Sequence, residues 1–181
     1  MTGPLPLKLG LVLNGKGVKT VQISAPDGEP LVLSPSSSLP LAYRVASFND
    51  QSTTRLNLSL IPDEEIEKLI AALDCGIQEQ LPGLMPQLIA PGEKPPEYIS
   101  PLASTPVTLR ILRTKIMTTG SRAVRCWDEQ KERIPIPEDW LSYTVKPRIC
   151  VRSLVLADNK LYPVLETTDA QLTPLQVSCP F

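Results

Sequence analysis

Ten lysine and arginine residues lie between residues 108 and 152, and they give this part of the chain its clearest chemical character. The five acids of the same segment, Asp128, Glu129, Glu132, Glu138 and Asp139, cluster in its two predicted connecting loops. The predicted strands therefore carry almost only positive charge. A guanidinium group can neutralise a phosphate and can also stack on an unpaired base. The segment from Arg110 to Arg152 thus indicates a surface that contacts the phosphates of a nucleic acid.

Eight of these basic residues are the predicted phosphate contacts: Arg110, Arg113, Lys115, Arg122, Arg125, Lys146, Arg148 and Arg152. Side chains alternate between the two faces of a strand, so Arg148 and Arg152 are expected on one face and Ile149 on the other, towards the core. The same alternation puts Arg122 and Arg125 on opposite faces. The alternative interpretation is a solvated basic surface that neighbouring acids balance.

Three aromatic residues interleave with the basic ones and are predicted to stack on bases: Trp127, Trp140 and Tyr143. Each also has an ordinary structural interpretation as a core or loop anchor. Aromatic residues make up only 4% of the chain, so guanidinium groups would have to share the stacking. Tyr98, in a proline-rich segment further upstream, has the same two interpretations, and we expect it to anchor that segment.

The chain contains no histidine, which argues against most acid–base, nucleophilic and metal chemistry. Its four cysteines form no Cys-x-x-Cys pair, so their spacing does not support a zinc ribbon. We therefore expect a protein that is not an enzyme and that needs no cofactor or metal. Because the net charge is −1, any attraction to nucleic acid has to come from the distribution of charge.

The elements that position these residues are predicted to be mostly strands, with one main helix. Alternating apolar residues indicate strands over 7–13, 18–24, 31–33, 43–48, 55–60, 107–117, 122–127, 145–156 and 161–165. The helix is predicted over residues 63–79, with Asp63 as its N-cap, and Gly76 could end it early. The seven prolines between Leu81 and Pro106 predict a long irregular loop.

Length and composition favour one β-rich domain over residues 1–172, with a short tail over residues 173–181. The amino terminus lacks the regions of a secretory signal, and no apolar run is long enough to cross a membrane. We therefore expect an intracellular protein, in the cytoplasm or nucleus of a host cell. Residues 50–107 carry nine acids, so the two halves of the chain differ in charge.

The order of several segments resembles that of the single-stranded DNA-binding proteins of large DNA viruses that are related to the phage T7 type. These segments are Arg55–Leu60, the acidic helix from Asp63 to Glu79, Tyr98–Leu102, Thr108–Leu112 and Tyr143–Leu156. The resemblance covers residues 55–172. It implies an OB-fold, a five-stranded barrel with a helix between strands. It also implies an accessory role in replication, recombination or repair, and a dimer or higher oligomer.

The carboxyl terminus is the main departure from this family. Its members often end in an acidic tail closed by an aromatic residue, which recruits replication proteins. The terminal Phe181 is present here, but the acidic run before it is absent. Phe181 is therefore predicted either to bind a replication partner or to fill an apolar gap on the protein's own surface.

Two functional hypotheses follow from the sequence. The first is a sequence-tolerant binder of single-stranded DNA, with the choice between DNA and RNA left open. The second is a structural or interaction protein, a β-sandwich whose basic surface meets an acidic partner protein or the protein's own acidic helix in an oligomer.

Overall fold

The computed structural model describes residues 3–15, 18–47, 54–104 and 109–175. Within them, twelve strands and one long helix pack around a single cluster of buried apolar side chains. The strands are β1 (Lys8–Gly15), β2 (Val18–Ser24), β3 (Leu31–Leu33), β4 (Ala46–Ser47), β5 (Arg55–Leu60), β6 (Glu97–Tyr98), β7 (Leu102–Ser104), β8 (Arg110–Met117), β9 (Arg125–Trp127), β10 (Arg133–Ile134), β11 (Tyr143–Ala157) and β12 (Lys160–Pro174). The helix α1 is Glu64–Leu88, and a 3-10 turn over Trp140–Ser142 precedes β11. The mostly β architecture with one main helix agrees with the sequence prediction.

The long hairpin of β11 and β12 forms the centre of the sheet. Asp158 and Asn159 join its strands with left-handed backbone angles, φ 50° and 56°, as a tight two-residue turn requires. The sheet order is β1-β2-β11-β12-β8-β5-β4, and the shorter strands pair along its sides. Among the described strands, β1 and β4 stand at opposite ends of this order and do not pair, so the sheet is open. The five-stranded OB-fold barrel therefore stays a prediction.

The helix is longer than the sequence predicts. Its N-cap is confirmed, because the carboxylate of Asp63 accepts a hydrogen bond from Ile66 N at 2.9 Å. The helix continues to residue 88 and includes Pro82 and Pro86, so the predicted irregular loop is wrong over its first part. Each proline removes one backbone donor, but Leu81 is buried in the core, and such packing offsets the loss.

Tyr98 anchors the segment that follows the helix. Its hydroxyl donates to Asp74 Oδ1 at 2.6 Å, and Ser100 Oγ donates to Asp74 Oδ2 at 2.6 Å. Burial raises the pKa of Asp74 above its usual value, against the effect of these two hydrogen bonds. Tyr98 therefore has the anchoring role expected of it, and its hydroxyl is engaged with the helix.

Gly76 does not end the helix but lets the amino-terminal segment cross it closely. Leu5 N donates to Ala72 O at 2.8 Å, which holds this segment against the helix. The carbonyl oxygen of Leu5 then occupies the space that a Cβ atom on Gly76 would need. Gly83, in the same helix, has open space at the corresponding position. The glycine at position 76 is therefore a packing requirement.

Gly76→Ala should destabilise the protein, although alanine favours a helix. The new methyl group would collide with the Leu5 carbonyl, which cannot move without straining its hydrogen bond to the helix. The matched variant Gly83→Ala meets no such neighbour and should raise the free energy of unfolding by ~0.5–1 kcal/mol. Urea unfolding of both variants measures the difference. Stabilisation by both substitutions would show that the amino-terminal segment does not pack at Gly76.

Candidate nucleic-acid interface

Glu166 on β12 is a buried carboxylate held between two arginines. Arg122 donates to it from Nε to Oε1 at 3.2 Å, and also from Nη2 to Oε2. Arg152 donates from Nη2 to Oε1 at 2.8 Å. Burial raises the pKa of Glu166, but the hydrogen bonds from the two arginines outweigh burial and hold this pKa below its usual value. Glu166 is therefore an anion at neutral pH.

Asp169, further along β12, holds a second pair of arginines. Arg125 binds it with two contacts, Nε to Oδ1 at 2.7 Å and Nη2 to Oδ2 at 2.8 Å. Arg148 Nη1 lies 3.6 Å from Oδ2, and Trp127 Nε1 donates to Oδ1 at 3.3 Å. Burial raises the pKa of Asp169, but its hydrogen bonds, chiefly that from Arg125, bring the pKa below its usual value. The same contact raises the pKa of Arg125.

Two β-bulges bring these side chains to one face of the hairpin. Glu166 and Asp169 both point to that face, although three positions separate them and strict alternation requires an even number. The register shift at Thr168 absorbs the extra residue. A second shift lies in β11 at Arg152, whose side chain turns towards Glu166.

Arg122 lies in a turn, and the strand predicted over 122–127 begins only at Arg125. In this turn Gly120 has a left-handed φ of 78°, and Ala123 N donates to Gly120 O at 3.1 Å. Strict alternation holds only within a strand, so the predicted placement of Arg122 and Arg125 on opposite faces is wrong. The turn instead directs both arginines to the same cavity.

The four arginines line an open cavity of about 490 Å³, which we call the first cavity. The side chains of the two acids are only 4% and 15% exposed. Those of Arg122, Arg125 and Arg148 are 56%, 47% and 51% exposed. The carboxylates therefore hold the guanidinium groups from the protein side, and the groups that face solvent are cations.

A second cavity of about 460 Å³ lies further along the same face. Lys115 of β8 pairs in register with Glu166 and lines this cavity together with Arg113. Tyr162 and Val164 alternate with Glu166 along β12, so they share its face, and they line the cavity too. Burial lowers the pKa of Lys115 to about 8, and the neighbouring positive charge of Arg55 adds to this shift.

Two other predicted phosphate contacts lie outside both cavities. Arg110 Nη1 is 3.2 Å from Glu67 Oε1 on the helix, so the structure does not bring this arginine to the basic face. Lys146 pairs in register with Gln171, next to the pair formed by Arg148 and Asp169. Lys146 therefore extends the basic face at the end away from the second cavity.

The three predicted stacking residues have different environments. Trp140 is 3% exposed and belongs to the core cluster, so its prediction is corrected, because a ring with covered faces cannot receive a base. Tyr143 is half-buried and packs against the core. Trp127 is also half-buried, but its indole N–H binds Asp169 and places it beside the arginines. Phe181 lies outside the described residues.

Sequence reasoning missed Glu166, Asp169 and Tyr162. The two acids lie beyond the basic segment, so the charge balance of that segment does not include them. The bulge at Thr168 also hides their common face from any count of alternating positions. The sequence did contain one signal, since both acids lie among apolar and threonine residues of a strand. An acid buried in such a strand needs a cation as its partner, so these positions indicate an ion pair.

The described residues offer little support for other kinds of site. They contain no group of three or more histidine, cysteine or acidic side chains that could hold a metal ion. None of the described helices combines the length and apolar character that crossing a membrane requires. Cys75, Cys126 and Cys150 have free thiols.

No family model and no curated protein matches the chain. It is similar to the single-stranded DNA-binding protein from bacteriophage Enc34 in complex with ssDNA, with 11% identity, a TM-score of 0.47, and coverage of 93% of this chain and 96% of that one. It is also similar to gp2.5, a single-stranded DNA-binding protein encoded by bacteriophage T7, with 10% identity, a TM-score of 0.45, and coverage of 81% and 87%. Both are phage proteins, and one is from T7, whereas the sequence resemblance is to proteins of large DNA viruses that are related to the phage T7 type. Both TM-scores are below 0.5, so these likenesses carry no weight for function.

Glu166→Gln should lower the stability of the protein and reduce its dependence on pH. Arg122 and Arg152 would lose a charged partner, so the free energy of unfolding at neutral pH should fall by ~1–3 kcal/mol. The folded-state pKa of Glu166 is lowered, so its stabilising effect is present above the ordinary pKa and is lost as the pH falls through the folded value. The wild-type protein should therefore lose more stability than the variant between about pH 5 and about pH 3 in denaturant unfolding.

Glu64→Gln is the matched control for this substitution. Glu64 makes an exposed ion pair with Lys68 on the surface of the helix, so its removal should change stability little. Equal stability of the two variants at neutral pH would contradict a role for Glu166 in holding the arginines.

Proposed function

We propose that the protein binds single-stranded DNA along the face of β11 and β12, through an arginine cluster formed by Arg122, Arg125, Arg148 and Arg152. One observation carries this proposal. Four guanidinium groups share two carboxylates, and the arginine side chains are far more exposed than those of the two acids. The surface therefore presents a surplus of positive charge in fixed positions, which is what a chain of phosphates requires.

The competing interpretation is that the cluster only stabilises the sheet. Two arginines would be sufficient to neutralise Glu166 and Asp169, and each further cation in the same place adds repulsion. A phosphate that enters the first cavity would relieve that repulsion. The acids also hold the arginines in place before binding, so less side-chain entropy is lost when a ligand arrives. The surplus therefore favours binding of a polyanion over a purely structural role.

The shape of the surface favours a single strand. The strip of β11 from Lys146 to Val155 is roughly 30 Å long at ~3.3 Å per residue. Lys146, Arg148 and Arg152 lie along it, and the second cavity lies at its far end. Trp127 lies beside the arginine cluster, and the second cavity offers apolar walls further along. Unpaired bases can use such surfaces, whereas the bases of a duplex are already stacked on one another.

Such binding would suit an accessory role in replication, recombination or repair, which the sequence resemblance also implies. We include in the proposal that Lys146 contacts a phosphate beyond the cluster, and that Arg113 and Lys115 bind the strand at the second cavity. RNA as the ligand, formation of an oligomer and recruitment of replication proteins by Phe181 stay predictions. Comparison of DNA and RNA strands of one sequence decides the first of these.

Arg122→Gln combined with Arg148→Gln should weaken binding of a labelled thymidine oligomer and reduce its salt dependence. Arg152 and Arg125 remain to pair with Glu166 and Asp169, so the sheet should stay folded. Each lost phosphate contact should lower the slope of log affinity against log salt by ~0.7. Fluorescence anisotropy at several salt concentrations, with matched duplex and RNA, measures both effects.

Arg44→Gln combined with Arg110→Gln is the control, because it removes the same charge elsewhere. Arg44 lies in another cavity with Glu138 and Asp139, and Arg110 contacts the helix. This control should keep the affinity and slope of the wild-type protein. Equal losses in the two double variants would mean that total charge, and not the cluster, determines binding. Absence of binding even at low salt would overturn the proposal.

The two tryptophans of the chain separate stacking from general effects of binding. Trp140→Phe leaves Trp127 as the sole tryptophan, and single-stranded DNA should quench its fluorescence if bases stack beside the arginine cluster. Trp127→Phe leaves the buried Trp140, whose fluorescence should change little on binding. Quenching in Trp127→Phe alone, which retains only Trp140, would contradict stacking of bases on Trp127.

A further inference from the structure

The second cavity differs in chemistry from the first. Its walls are mainly apolar and include Ile99, Pro101, Val155 and Pro163, with Tyr162 as an aromatic side chain. Only a few polar groups reach it. Sites for small organic ligands commonly have this composition, in which apolar walls bury a ring and a few polar groups fix its orientation. The first cavity, by contrast, is dominated by guanidinium groups.

The position of the second cavity connects it to the arginine cluster. Lys115 pairs in register with Glu166, and Glu166 accepts hydrogen bonds from Arg122 and Arg152 of the first cavity. Glu166 therefore lies between the two cavities on one face of the sheet. A strand whose phosphates follow the arginine cluster would pass the opening of the second cavity, and the base attached at that point could turn inwards.

The charged groups of the second cavity are all hydrogen-bond donors. Arg113 and Lys115 only donate when charged, and the Asn57 amide can donate or accept. Ser100 Oγ is engaged within the protein, because it donates to Asp74 and accepts a hydrogen bond from Leu102 N at 3.3 Å. Thymine and guanine present carbonyl oxygens to such donors, whereas adenine presents an amino group together with its ring nitrogens.

We propose, on the basis of the proposed function, that the second cavity binds one base of the bound strand and favours a keto base, thymine or guanine, over adenine. Arg113 is the specificity-determining residue, because its guanidinium can donate two hydrogen bonds to O6 and N7 of guanine and one to a carbonyl oxygen of thymine. Tyr162 and the apolar walls cover the ring of the base. The protein would then bind any single strand but would settle preferentially where a thymine or guanine reaches this cavity.

The test uses DNA hexamers that are fully abasic or carry one central thymine, guanine or adenine. At low salt, the wild-type protein should bind the thymine and guanine hexamers about fivefold or more tightly than the fully abasic one. It should also prefer them to the adenine hexamer by about fivefold. Val164→Phe, which fills the cavity, should lose this gain and keep the affinity for the abasic hexamer. Val155→Phe fills the same cavity from β11 and replaces Val164→Phe if that variant is unstable.

Arg113→Gln and Arg110→Gln form a matched pair on one strand. The first should lose the preference for keto bases, and the second should keep it. Equal affinity of the wild-type protein for the thymine, guanine and adenine hexamers would overturn the preference, and a gain that survives in the filled variants would overturn the cavity as its site. Failure of the proposed function gives a different result. The abasic hexamer would then not bind, or its affinity would be the same for the wild-type protein and for Arg122→Gln combined with Arg148→Gln.

Discussion

The compensation of two buried carboxylates is the interaction on which the face of β11 and β12 depends. A carboxylate that is nearly inaccessible to water is stable only if cations and hydrogen bonds replace the water it has lost. Glu166 and Asp169 obtain theirs from arginines on the turn before β9, on β9 itself and on β11. The same contacts tie these elements together and fix the directions of the guanidinium groups. Stability of the sheet and preparation of the proposed binding surface therefore have one physical cause.

Local sequence patterns predicted the parts of the fold that local rules determine. Alternation along β11 correctly put Arg148 outside and Ile149 in the core, and the cap at Asp63 is a property of a few adjacent residues. The continuation of the helix through Pro82 depends instead on burial of its second half. The convergence of Arg122 and Arg125 depends on a turn and on pairing with a strand 44 residues away. No pattern within one segment contains that information.

The acidic half of the chain makes its own contacts, and these bear on the hypothesis that it meets the basic face of another copy. Glu67 contacts Arg110, Glu65 accepts hydrogen bonds from Ser36, and Glu64 contacts Lys68 on the helix. These acids are therefore engaged near the helix. The arginine cluster uses different acids, which come from its own sheet. The acidic and basic parts of the sequence thus form two separate networks in the folded chain, one at the helix and one at the arginine cluster. Of these two, the arginine cluster has the surplus of cations.

The bulge at Thr168 determines which side chains in the second part of β12 face the core. Residues on one side of it alternate in one phase, and residues on the other side alternate in the opposite phase. If the same residues paired with β11 without the bulge, the rest of the strand would exchange inside and outside. Asp169 would then point into the core, and Ala170 and Leu172 would point into water. Removal of one residue at the bulge would instead restore regular alternation and keep Glu166 and Asp169 on one face. The burial of Ala170 and Leu172 and the ion pairs of Asp169 therefore hold the extra residue in the bulge.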